Sequence, residues 1–79
     1  MQHFKIHEHS DGFSLHSGNR PIAEGLTYQE ATDVAGHLEE EIFRTNGDHK
    51  GRLRTAAYFP PTLMAKAVEA NRAFMAMNG

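Results

Sequence analysis

The stretch LTYQEATDVAGHLEEEIF, residues 26–43, is the segment around which the rest of the chain is organised. Thr27 and Glu30 have the spacing of a capping box, in which each side chain binds the backbone N–H of the other residue. Apolar residues then recur at steps of three and four, which predicts a helix with one buried stripe: Ala31, Val34, Ala35, Leu38 and Ile42. We expect the helix to end at residues 45–47, because Asn and Gly adopt the left-handed conformation that closes helices.

Upstream of this helix the sequence predicts a β-hairpin. Polar and apolar residues alternate over residues 3–9 and 13–16, and the dipeptide Asp11-Gly12 between them is a strong hairpin signal. A two-residue turn at Asp11-Gly12 would place His7 directly opposite His16. In that register the apolar residues of both strands share one face: Phe4, Ile6, Phe13 and Leu15.

Two further strands and a second helix complete the prediction. Residues 21–25 indicate a short third strand, and the alternation over residues 52–59 predicts a fourth, with Leu53, Ala57 and Phe59 facing inward. Two prolines stop that strand, and Thr62 caps or nearly caps a helix that runs to about Met77. The fold class is therefore α+β: a small antiparallel sheet in β-β-β-α-β-α order with two helices packed on one face.

Size and composition limit the classes of protein to consider. The chain has 79 residues, no cysteine and a net charge of −2 with neutral histidines, so we expect one domain over residues 1–79, without disulfides or thiolate metal sites. No apolar run reaches the ~20 residues that span a bilayer, and Met1–Phe4 lacks the form of a signal peptide. We therefore expect a cytoplasmic protein with no membrane contact, and no residue pattern indicates a cofactor.

Two surfaces are candidates for binding another protein or protein complex. The first is the acidic side of the first helix, because acidic patches steer association with basic partners. The second is the apolar flank of the last helix, which is wide enough to serve a homodimer, although methionines there also fill gaps in cores. The candidate residues are Glu30, Asp33, Glu39, Glu40, Glu41, Met64 and Met75.

Two other groups of residues suggest different partners. Cations and an aromatic residue could bind single-stranded nucleic acid by phosphate contact and stacking; they are Arg44, Lys50, Arg52, Arg54 and Tyr58. If the fourth strand joins the sheet with Leu53 inward, Arg52, Arg54 and Tyr58 would share the outer sheet face with the histidines. Three histidines share one sheet face in the predicted register, and their imidazoles are ligands suited to zinc or copper: His7, His9 and His16. The alternatives are a solvated loop for the first group and an exposed polar sheet face for the second.

Residues 3–43 resemble the β-β-β-α half of HicB-like antitoxins, through the hairpin, the third extended segment and the helix start of residues 25–31, GLTYQEA. That resemblance implies a nucleic-acid-binding or antitoxin-like module; the segment after Thr45 departs from the family's DNA-binding appendage. In its small size, its mild acidity and its lack of a set of catalytic residues, the chain resembles phage-encoded inhibitors such as anti-CRISPR proteins. We expect a non-enzymatic protein-interaction module that regulates or inhibits a larger complex, with the nucleic-acid-binding module as the alternative.

Overall fold

The computed structural model describes residues 3–78, with the side chain of Asn78 excepted; Met1, Gln2 and Gly79, which the single-domain prediction included, lie outside the described residues. The chain forms a small α+β fold in the order β-β-β-α-α. A three-stranded antiparallel sheet has the strand order β1-β2-β3. The elements are β1 (Phe4–His9), β2 (Gly12–Ser17), β3 (Arg20–Leu26), α1 (Tyr28–Thr45) and α2 (Pro61–Asn78).

The hairpin of β1 and β2 is formed, but its predicted register is wrong by two residues. His9 pairs with Gly12, so the two-residue turn is Ser10-Asp11 and not Asp11-Gly12. Gly12 begins β2 at a φ of +142°, and a Cβ there would lie 3.0 Å from the Leu26 carbonyl oxygen. Gly12 is therefore needed for a close approach to β3. A shift of two residues leaves every side chain on its predicted face.

The third strand is longer and less regular than the predicted segment 21–25. Its pairing with β2 shifts twice, between Phe13 and Leu15 and between Leu15 and His16. Gly25, next to the first shift, has a φ of +69°, a conformation that suits glycine at a bulge. These irregularities bend the strand and lead the chain into α1.

Helix α1 confirms the predicted caps. The Thr27 hydroxyl accepts from the Glu30 N–H at 3.0 Å, and the Glu30 carboxylate accepts from the Thr27 N–H at 2.9 Å. Asn46 closes the helix in the left-handed conformation. The predicted stripe is buried at Ala31, Val34, Ala35 and Leu38, so α1 packs on the apolar face of the sheet.

Helix α2 begins at Pro61, one residue before the predicted cap Thr62, as the fixed φ of proline favours at a first helical position. It packs beside α1 and β3. Its C-terminal half reaches β1, where Phe74 and Phe4 meet edge to face with ring centroids 5.2 Å apart. The two helices and the sheet enclose one core that includes Phe4, Leu15, Leu26, Leu38 and Leu63.

The predicted fourth strand is wrong. Residues 52–56 have no regular structure, and the Phe59 N–H donates to the Ala56 carbonyl in a turn. The buried or half-buried apolar residues are Leu53, Ala56 and Phe59, at steps of three, and Ala57 is exposed. The alternating pattern therefore predicted a strand where the chain forms a loop. The imidazole of His37 holds this loop through a hydrogen bond of 2.7 Å with the Arg54 carbonyl oxygen.

Candidate partner-binding surfaces

Glu41 is buried and does not belong to the predicted acidic surface of α1. Its side chain is only 1% exposed and binds two cations. Arg44 donates to its oxygens at 2.9 and 3.3 Å, and Arg54 donates at 3.2 Å. These two guanidinium groups lower the pKa of Glu41, Arg44 foremost, against the opposing effect of burial. Glu41 therefore joins the loop to α1 and presents no charge to a partner.

Three of the remaining acidic residues also have partners within the chain. Glu30 closes the helix cap and lies 3.4 Å from the Lys66 ammonium of α2, and the Thr27 N–H and Lys66 lower its pKa. Asp33 accepts from the Gln29 amide at 3.0 Å. Glu39 accepts from the His3 N–H at 2.7 Å. Glu40 is exposed. The predicted acidic residues of α1 therefore do not form one continuous patch of free carboxylates.

The basic segment is likewise only partly available. Arg44 and Arg54 are ion-paired with Glu41, so a phosphate would have to compete with a buried carboxylate for them. Lys50 lies 3.9 Å from Asp48, and both are largely exposed. Arg52 is exposed. Arg44 lies on α1, and Lys50, Arg52 and Arg54 lie on the loop between the helices, so they do not form the predicted platform on the sheet.

Tyr58, the aromatic member of the same prediction, is 72% exposed. Its ring meets that of Phe59 edge to face with centroids 4.8 Å apart. Because the segment is not a strand, Tyr58 does not share a sheet face with the histidines. The cations and tyrosine of the loop therefore do not form one sheet face with the histidines.

The histidines form a hydrogen-bonded cluster on the outer face of the sheet. The Ser14 hydroxyl, 2% exposed, lies 2.7 Å from His9 Nε2 and 2.8 Å from His16 Nε2. His7 stacks on His16 with ring centroids 4.0 Å apart. Both Nε2 atoms thus face a hydroxyl that can donate to one ring and accept from the other.

This arrangement does not have the geometry of a metal site, for which these histidines were only candidates. Within residues 3–77 no three histidine or carboxylate side chains are placed to hold a metal ion. Because His9 and His16 aim at Ser14 and His7 stacks on a ring, the three imidazoles share no coordination point. Burial lowers the pKa of His16, and the nearby His7 and His9 lower it further. The cluster therefore disfavours a positive charge on His16.

The methionines of α2 are also partly covered. Met64 is half-buried and packs against the core. Met75 is half-buried and lines a cavity of about 450 Å³ with His3, Ile42 and Phe74, among others. Met75 remains the member of the predicted pair that borders an open cavity.

One surface was not predicted from the sequence. We call it the outer flank of α1, and it comprises the half-buried Thr32 and the exposed Gly36, Glu40 and Phe43. Phe43 is 88% exposed, and the space around a Cβ at Gly36 is empty to 4 Å. Phe43 borders a cavity of about 410 Å³ together with His3 and Glu39. The sequence contained a signal for this surface, because Phe43 lies off the apolar stripe of the helix and Gly36 lowers helix propensity.

Comparisons with protein-family models, with curated proteins and with solved structures find no match to this chain. The resemblance of residues 3–43 to HicB-like antitoxins is therefore not accompanied by a family match. Within the described part of the chain, neither helix is long and apolar enough to cross a membrane. A proposal about the function of this chain must therefore rest on the geometry of its surfaces.

Proposed function

We propose that this protein is a non-enzymatic interaction module that binds another protein through the outer flank of α1 and thereby regulates or inhibits a larger complex. The observation that supports this proposal is the exposure of Phe43, a residue that is 88% exposed to solvent. Covering an exposed phenylalanine side chain is worth ~1.5–3 kcal/mol. Aromatic residues that enter a pocket on a partner commonly dominate the energy of an interface.

The neighbours of Phe43 give this surface its shape. Gly36 lies two turns before Phe43 on the same flank, and it presents bare backbone in the middle of a helix. Small residues allow a partner backbone to approach closely, and a methyl group there would stand in the path of the partner. Glu40, between them, adds one exposed charge at the rim, which suits a polar boundary around an apolar contact.

Affinity capture from a lysate of the source organism tests the proposal when two matched variants are compared. Phe43→Gln removes the most exposed aromatic residue of α1, and Tyr58→Gln removes a strongly exposed aromatic residue from the loop. We expect a protein partner to be retained by the wild type and by Tyr58→Gln, and to be lost with Phe43→Gln. Capture that depends on Tyr58 and not on Phe43, or that nuclease treatment abolishes, would contradict the proposal.

A further inference from the structure

The edge of β1 is open, whereas the edge of β3 is protected. Strand β1 is regular over Phe4–His9 and, among the described residues, pairs only with β2. Strand β3, at the other edge, contains Pro21 and two register shifts, and proline and bulges are devices that prevent pairing at an edge. An added strand would therefore pair with β1.

The register identifies the groups that β1 offers. His9 and Gly12 flank a two-residue turn and pair directly, and hydrogen-bonded pairs alternate along such a ladder. Lys5, His7 and His9 therefore bond to β2. The N–H and C=O groups of Phe4, Ile6 and Glu8 point away from it, toward the open edge.

The open edge and the outer flank of α1 lie side by side. The Glu39 carboxylate, one turn before Phe43, accepts a hydrogen bond of 2.7 Å from the N–H of His3, the residue just before β1. The cavity of about 410 Å³ is lined by both His3 and Phe43. A strand added to β1 would therefore have its inward side chains next to α1, near Phe43.

We propose that the open edge of β1 accepts an extended segment of a partner protein, with acidic side chains on the outer face of the sheet and apolar side chains on the inner face. This inference rests on the proposed function and specifies how the partner binds. On the outer face the segment would meet the exposed Lys5, His7 and His9. On the inner face it would meet the half-buried Ile6 and the ring of Phe43.

Charge selects a different protein over a second copy of this chain. Two β1 strands that pair antiparallel through their outward groups would place Ile6 opposite Ile6, Lys5 opposite His7 and Phe4 opposite Glu8. No pair in that arrangement joins opposite charges, and the ammonium of Lys5 would face an imidazole and not a carboxylate. An acidic residue opposite Lys5 supplies the complementary charge that the second copy lacks.

The first test uses a synthetic eight-residue peptide of alternating Glu and Val, with an alternating Lys and Val peptide as the matched control. Amide hydrogen exchange and NMR shifts of the isotope-labelled full chain are followed in each titration. We expect the Glu-Val peptide alone to bind and to protect the amides of Phe4, Ile6 and Glu8. Protection of Arg20–Leu26 instead, equal binding of both peptides, or no binding would overturn the inference.

The second test removes one outward donor. Glu8→Pro deletes an N–H that does not bond to β2, and we expect it to weaken peptide binding about tenfold, as the loss of one net hydrogen bond implies. Glu8→Ala keeps the N–H and should bind within about twofold of the wild type. Equal effects of the two variants would count against strand addition, as would a wild-type dimer in sedimentation that Glu8→Pro converts to a monomer.

The same variants separate this inference from the proposed function. If Phe43→Gln releases the captured partner and Glu8→Pro retains it, the proposed function stands and strand addition is overturned. If both variants release the partner while Glu8→Ala retains it, both are supported. If all of them retain it, both are overturned.

Discussion

Replacement of Gly36 by alanine should stabilise the fold. Gly36 lies in the middle of α1, with no heavy atom within 4 Å of an ideal Cβ, so the added methyl group meets nothing. Glycine in a helix interior costs ~0.5–1 kcal/mol relative to alanine, because more backbone entropy is lost on folding. In a domain of this size that gain raises Tm by about 4–8 °C per kcal/mol. Thermal unfolding followed by circular dichroism measures the change.

Gly25→Ala is the matched control. A Cβ at Gly25 also meets nothing within 4 Å, but the residue has a φ of +69°, where an L side chain costs about 1–2 kcal/mol. We therefore expect Gly36→Ala to raise Tm and Gly25→Ala to lower it. A fall in Tm for Gly36→Ala, or equal shifts for both, would refute the reasoning. If the outer flank binds a partner, Gly36→Ala should also weaken capture while it stabilises the free protein.

Three further predictions concern the described contacts. Thr27→Ala should cost ~1 kcal/mol in urea unfolding because it removes the hydroxyl half of the capping box, and Thr27→Ser should restore most of it. Glu41→Gln should cost ~1–3 kcal/mol because it removes the charge from hydrogen bonds to Arg44 and Arg54; a stability equal to that of the wild type would show that the pairs contribute nothing. The lowered pKa of His16 means that the unfolded chain takes up this proton at higher pH than the folded chain, so stability should fall as pH drops below the ordinary value of 6.5. His16→Gln should flatten the stability profile between pH 7 and 5 (about the range of histidine titration), and an unchanged slope would contradict that origin.

Helix α1 shows how far local sequence signals reach. The hydroxyl of Thr27, the carboxylate of Glu30 and the left-handed Asn46 act within a few residues of themselves, so their roles follow from spacing alone. The faces of β1 and β2 also follow from alternation. These signals were sufficient for the α+β class and for the hairpin.

The register of the hairpin, and the formation of a loop in place of the predicted fourth strand, depend on contacts between residues that are far apart in the sequence. Gly12 approaches the carbonyl of Leu26 in β3, and this contact moves the turn to Ser10-Asp11. In the loop, His37 and Asn71 bind the carbonyls of Arg54 and Gly51 from the two helices. Side chains far away in the sequence satisfy these backbone groups, so the segment has no need of a strand partner.

The candidate surfaces changed for the same reason. Glu41 looked like one of a row of solvated acids, yet Arg44 and Arg54 hold it inside at 1% exposure. Phe43 looked like a continuation of an apolar helix, yet its position beyond the buried stripe leaves it in solvent. Helical spacing predicts which residues share a face, but only the packing of the loop and β1 determines which faces are covered.

Mapping of the captured partner onto the isotope-labelled protein by NMR is the most direct test of the central claim. We expect the largest chemical-shift changes at Thr32, Gly36, Glu40 and Phe43, and we expect Phe43→Gln to abolish them. Shift changes confined to residues 50–58, with the outer flank of α1 unperturbed, would contradict it.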